Sequence, residues 1–327
     1  GGFGGAGIGG GNGADGSDIT ITGGNVTANG GGHAAGIGGG SSSISGGGNG
    51  SDITISGGNV TANGGTAGAG IGGGKAMNGV SYGTGKDGHI TINGNADVTA
   101  TSTYAAGIGG GGEFSFDRSC TTGENGVISI SGNATVKATG GVYGIGGYDD
   151  DDMNGSLNIS GGTVTARATS TGNTYACGIG RISRFNVNGG TVSASGYTGI
   201  YRANVNGGVV TAESSKSTNG FGTLTADGNW DGWVTSLPAQ ASNGMKSGVL
   251  FSGNEGKIIG SSYTLPADRE IPEGATLTVD AGQELIVPAG TTLTVNGKLV
   301  VAGTLNTAET DAIAGSGETE ITGTVTG

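Results

Sequence analysis

Gly23-Gly24-Asn25-Val26-Thr27-Ala28-Asn29-Gly30-Gly31 returns unchanged as Gly57-Gly58-Asn59-Val60-Thr61-Ala62-Asn63-Gly64-Gly65, thirty-four residues later. An identical nonamer at that separation points to a repeat architecture. Working outward from it, three short elements recur in fixed order. The first is I-T-I or a variant, centred on Ile21, Ile55, Ile92, Ile130, Ile159, Val187 and Val205. The second, mostly V-T-A, centres on Val26, Val60, Val98, Val136, Val164, Val192 and Val210. The third is G-I-G at Ile8, Ile37, Ile71, Ile108, Ile145 and Ile179, with a degenerate copy at Ile200.

Each element is too short for a helix and alternates apolar and polar residues as a strand does. Only a Gly-Gly or Gly-Asn corner separates the first element from the second, which suits a bend from one sheet to the next rather than a hairpin. Three strands and three corners per cycle describe an all-β chain, a three-sided parallel β-helix, with the right-handed form the commoner one for coils carrying long insertions. Like positions stack at about 4.8 Å, so seven coils make a rod roughly 30 Å long. Ladders of Ile, Val and Ala fill the inside. Thr, Ser and Asn line the outside of the first two sheets, and the third presents almost nothing but glycine.

The pattern holds over 1–212 and then stops. Residues 213–247 read as an irregular linker that caps the open end, with Trp230 and Trp233 as the cap. From 248 to 327 the chain is β-rich again, with Thr276-Leu277-Thr278-Val279 returning sixteen residues on as Thr292-Leu293-Thr294-Val295. This stretch is expected to form a second, smaller β-solenoid lobe.

Composition narrows the function. Of 327 residues, 80 are Gly and only 4 are Pro, yet regularly spaced β-branched residues argue for ordered glycine rather than disorder. The net charge is −12 with no basic cluster, which disfavours a nucleic-acid partner and an anionic membrane surface. No apolar run is long enough to span a bilayer. With 2 cysteines, Cys120 and Cys177, the chain is no disulfide scaffold. It opens within a repeat, on Gly1-Gly2-Phe3, and so reads as a piece of something longer.

The A-G-I-G-G-G / I-T-I-x-G-G-x-V-T-A alternation, the stretch from Gly248 to Gly256, and Ile271-Pro272-Glu273-Gly274 leading into T-L-T-V resemble glycine-rich surface proteins of gut Firmicutes and clostridia. The alternation is similar to clostridial carbohydrate-binding β-helix domains, although glycine mostly follows the G-I element here where an acidic residue often follows it there. The resemblance implies an extracellular, cell-surface or cell-wall location and host or plant glycans, or a host surface protein, as partners.

The connections from the third element to the next first element are unequal, longest before Ile90 and Ile128. Loops on a rigid scaffold concentrate binding residues. These bring Tyr82, His89, Phe114, Phe116 and Tyr148 to one corner, aromatic faces beside carboxylates, as a carbohydrate site uses. The Phe pair would equally serve as a small core for its loop. Asp149, Asp150, Asp151 and Asp152 offer hard oxygen ligands for Ca²⁺, and a solvated acidic turn explains the run as well. Two G-G-x-G-x-D matches end at Asp15 and Asp52 without the tandem array that shared-ion sites need.

Catalytic residues are few. His33 and His89 have no nucleophile placed beside them by motif. The enzymatic rival is a Ca²⁺-assisted polysaccharide lyase using the Asp run with Arg181, Arg184 or Arg202. The other rival is a plain spacer, which would have uniform coils. Graded insertions favour a non-catalytic, glycan-binding or adhesive module.

Overall fold

A computed structural model describes all residues except 43–46, 76–86, 113–124, 148–154, 181, 216–219, 226–231 and 238–247. The described residues contain strands and turns and no helix. The three elements stack in register as a parallel β-helix. In the first sheet Ile19 pairs with Ile53, Ile53 with Ile90, Ile90 with Ile128, Ile128 with Leu157, and Leu157 with Phe185. In the second, Val26 is followed by Val60, Val98, Val136, Val164, Val192 and Val210. In the third, Ile8, Ile37, Ile71, Ile108, Ile145, Ile179 and Ile200 form one column. These columns make a single core, mainly of Ile, Val and Ala, with Leu157 and Phe185 in its later coils.

The corner between the first and second sheets stays tight because glycine takes it. Gly24, Gly58, Gly162, Gly190 and Gly208 all have positive φ there. In the later coils the corner is taken almost without a break. Strands Ser156–Ala168, Arg184–Gly196 and Thr198–Ser214 run through it, and the register shifts after Ile159 and after Val187 mark the bend.

The glycines of the third sheet do more than allow corners. The expected bare face is buried under the chain's own connections. A Cβ placed on Gly38 would lie 3.2 Å from the Cα of Gly50, and one on Gly16 would lie 1.9 Å from the Gly38 carbonyl oxygen. Gly16 and Gly50 bridge each other in parallel, while Gly48 N donates to Gly40 O and Gly74 N to Gly48 O. A second layer of glycine backbone therefore lies against the strand, at a separation that only residues without side chains permit.

Residues 213–247 are not simply a linker. Phe221–Thr225 and Trp233–Leu237 continue the stack, Phe221 on Ile200 and Trp233 to Leu237 on Val209 to Glu213. Gly248–Ser252 adds a further strand to the second sheet, and Glu255–Ile259 turns back antiparallel on it. From there the sheet continues in parallel through Thr276–Val279, Lys298–Val301 and Glu318–Ile321. The remaining strands of the C-terminal part form two further stacks, one from Ser262–Thr264 to Thr324–Thr326 and one from Arg269–Ile271 to Ile313–Ala314. Counted along this sheet its coils are twenty to twenty-two residues long, since Glu255 pairs with Thr276, Thr276 with Lys298 and Lys298 with Glu318. The two T-L-T-V copies are thus not one coil apart, because Leu277 pairs with Leu299 and Leu293 lies on a different sheet.

Between the two parts the core changes face. Val234 and Leu250 belong to the first core, whereas Trp233, Val249 and Phe251, their neighbours in the same strands, belong to the second. Trp233 is buried, with its ring 5.2 Å from Phe251 and 6.3 Å from Tyr263. It is a wall residue between two cores rather than a lid over the first. Trp230 lies outside the described residues.

Candidate functional site

Of the residues expected to bind, His89 alone lies among the described ones. Tyr82, Phe114, Phe116, Tyr148 and the run Asp149 to Asp152 lie outside them, as do Cys120 and Arg181. His89 ends the long connection into Ile90 and is exposed, with its Nδ1 3.6 Å from an Asp52 carboxylate oxygen. Register places Asp18, Asp52 and His89 in one column, each directly before its first-sheet Ile. Asp18 and Asp52 both take positive φ, 56° and 52°, a conformation that Asp tolerates better than most side chains. The described residues contain no group of three His, Cys, Asp or Glu placed to hold a metal ion.

The two G-G-x-G-x-D matches fall out of register. Because Gly16 stacks on Gly50, the residue beside Asp15 is Asn49, whose backbone N–H donates to an Asp15 carboxylate oxygen at 2.6 Å. Asp15 clasps two connections together, whereas Asp52 stands beside Asp18. Arg184 and Arg202 each stand two residues before a partner in the Asn186–Asn204 pair, so they occupy adjacent coils. Cys177 is buried, with its thiol donating to Tyr175 O at 3.3 Å.

The flat faces are held by amide ladders. Asn59 donates to Asn25 at 3.0 Å and Asn63 to Asn29 at 2.8 Å, and Thr101 donates to Asn63 at 2.7 Å. Further on, Asn186 donates to Asn158, Asn204 to Asn186 and Asn206 to Asn188. Stacked amides turn their donors and acceptors along the rod, joining coil to coil.

Sequence reasoning passed over a different pair. Tyr104 and Tyr175 are 50% and 36% exposed, on the corner between the second and third sheets. The signal was present as Tyr104-Ala105-Ala106-Gly107-Ile108 and Tyr175-Ala176-Cys177-Gly178-Ile179, the same lead-in to the third element in two coils.

Comparison with known families agrees with this architecture. Residues 19–41, 53–75, 90–112, 128–147 and 157–180 match the Beta helix repeat family. Each matched stretch begins on a first-sheet strand and ends just past a third-sheet strand, so the stretches cover the coils and leave out the variable connections. No curated protein and no solved structure matches the chain. No described helix is long and apolar enough to cross a membrane, which says nothing of membrane β-barrels.

Proposed function

We propose that this β-helix is a non-catalytic glycan-binding module of a bacterial cell surface, engaging host or plant glycans through the long connections on one corner of the rod. One observation supports it above the others: the longest insertions gather at a single corner. Ile71 and Ile90 bracket one such connection and Ile108 and Ile128 the next, while register fixes all four in unbroken columns. The corner between the first and second sheets stays at three or four residues, passing from Ile55 to Asn59 and from Ile92 to Asp97. A spacer needs no such asymmetry. Rigid coils beneath variable loops lower the ordering cost of engaging a ligand.

The direct test is a glycan array probed with the intact chain and with a variant lacking residues 76–86 and 113–124. Binding of at least one glycan class by the intact chain, lost on excision, is the expected result. An array on which the intact chain binds nothing refutes the module reading and leaves the spacer, which the self-satisfied Asn ladders along the smooth faces otherwise favour.

The Asp run is proposed to hold Ca²⁺ at the same corner. Millimolar Ca²⁺ is then expected to raise the melting temperature, since a ligand that binds only the folded state stabilises it. The Asp150→Asn, Asp152→Asn variant is expected to lose that rise. An equal melting temperature with Ca²⁺ and with chelator would remove the ion from the proposal and leave glycan binding standing.

A further inference from the structure

We infer that Tyr104 and Tyr175 form a two-ring stacking site for an extended, neutral, β-linked glycan, on the corner between the second and third sheets. This rests on the glycan-binding reading above but not on the long connections, which leave the third sheet at its other side.

The exposed large apolar side chains among the described residues are Phe3, Tyr104, Tyr175, Ile321 and Val325. Phe3 lies in the first coil and Ile321 and Val325 in the last strands, where a solenoid ends. The two tyrosines are therefore the ones on the body of the rod. Each stands four residues before its third-sheet Ile, and Ile108 pairs with Ile145 and Ile145 with Ile179. They are thus two coils apart, on the order of 10 Å along the axis, with Tyr175 carried on the turn between Ser170, whose N–H donates to Gly141 O, and Cys177, whose N–H donates to Val142 O.

The intervening coil puts no exposed side chain between them. The intervening coil turns the corner with Gly140-Gly141-Val142, all buried. A Cβ on Gly141 would meet Thr103 O at 2.3 Å and the Cα of Tyr104 at 2.6 Å, so that strip must remain without a side chain.

Both turns are fixed from within. Of the five polar or charged residues buried among the described ones, Ser102 and Asn173 each stand two residues before one of these tyrosines. Ser102 Oγ accepts from Ala105 N at 3.0 Å, and Asn173 Oδ1 accepts from Tyr175 N at 2.8 Å. Tyr104 N donates to Thr66 O of the coil before at 3.2 Å. Two tyrosines on pinned turns present large rigid faces at low entropic cost.

The chemistry of the corner selects the ligand. In a chain of net charge −12, residues 101–106, 140–142 and 168–177 hold no charged side chain, while Thr101, Thr103, Thr169, Ser170, Thr171 and Thr174 supply hydroxyls. An uncharged, hydroxyl-rich surface with two aromatic faces suits a neutral polyhydroxyl chain and offers nothing to a polyanion. In an extended β-linked glycan, alternate sugars present the same face one disaccharide apart, about the advance of two coils. An α-linked chain curls and cannot keep both rings covered.

The test is calorimetric titration of the intact chain with cellohexaose, cellobiose and maltohexaose. Cellohexaose is expected to bind, cellobiose at least about tenfold more weakly because it covers one ring, and maltohexaose not measurably. Tyr104→Ala and Tyr175→Ala are each expected to weaken cellohexaose binding about two- to tenfold, as loss of one aromatic contact does, and the double variant to abolish it. Tyr104→Phe with Tyr175→Phe should bind within about threefold of the parent, because the ring carries the contact. Melting temperatures should not change in any variant, since both side chains are exposed. No binding of cellohexaose by the parent chain, or undiminished binding by the double Ala variant, overturns the inference. Glycan binding that survives the double variant and disappears on excising 76–86 and 113–124 overturns it while leaving the module reading intact. A blank array removes both.

Discussion

Replacing Ile71 with Asp is expected to leave no cooperatively folded rod, seen as loss of the β signal in circular dichroism, loss of a sharp melt, and rapid proteolysis. Ile71 is fully buried between Ile37 and Ile108 in the third-sheet column. The cross-section there is narrow: each coil contributes a few inward residues, in this one Ile53, Ile55, Val60, Ala62 and Ile71. Removing such a side chain costs about 2–5 kcal/mol through lost burial and the cavity left behind. Asp adds a charge with no partner in a core of Ile, Val and Ala, and the total passes the roughly 4–5 kcal/mol above which single substitutions are exceptional. A solenoid amplifies the damage, because each coil is stabilised mainly by its two neighbours and a failed coil uncouples the rod on both sides. Ile71→Val is the control, at about 0.5–1.5 kcal/mol with the fold kept. An Ile71→Asp protein with a near-native melt would mean that the third-sheet column is not the core.

The same physics explains what the sequence made legible. Where the rod has one core and one solvated face, each strand keeps a strict alternation, and Thr20, Thr54 and Thr91 mark the outward register between buried or part-buried isoleucines. Trp233-Val234-Thr235-Ser236-Leu237 lost that mark because it has a core on each side: Val234 and Ser236 are buried, and so is Trp233 from the opposite face. A strand covered on both faces no longer alternates, so it read as irregular. Its place is set instead by backbone pairing to Val209 through Glu213, which needs no particular side chains. The C-terminal coils misled in the opposite way. Every short strand there needs the same inward Leu or Val pair, so similar tetrapeptides recur on different sheets of one coil, and the sixteen-residue return was a corner-to-corner distance.

Glycine hid the remaining part. Read as a sequence, G-I-G shows an inward Ile between two permissive residues, and nothing in it tells a tight corner from a contact surface. The contact belongs to the chain itself, with the connections laid over the third sheet. The exposed tyrosine corner was missed for a related reason. Loop length singles out the third-to-first corner, while Tyr104 and Tyr175 sit on shorter turns whose proposed role rests on exposure and spacing.

Gly72→Ala, a single added methyl group, is expected to be among the most damaging conservative changes in this chain. Gly9, Gly38, Gly72, Gly109 and Gly146 follow the third-sheet Ile in successive coils, with φ of 124°, 128°, 128°, 137° and 132°. An L side chain there costs about 1–3 kcal/mol from the backbone alone. Packing adds to it. A Cβ on Gly72 would lie 2.0 Å from the carbonyl oxygen of Gly109, and that oxygen accepts the ladder hydrogen bond from Gly73 N at 3.0 Å. Relieving the overlap means parting two coils or giving up the bond, a further 1–3 kcal/mol or so of the kind overpacking brings. A sum of roughly 2–6 kcal/mol should appear as a large fall in the denaturant midpoint. Gly146→Ala shares the strained φ, yet its nearest neighbour would be Gly180 N at 3.2 Å, so it is expected to cost about the backbone part alone. Gly172, with nothing within 4 Å and no positive φ, should accept Ala within about 0.5 kcal/mol. The order Gly72, Gly146, Gly172 in chemical denaturation is the measurement. Equal effects at the three positions would show that glycine serves only the corners, and that the third-sheet strands of adjacent coils do not need a bare residue between them.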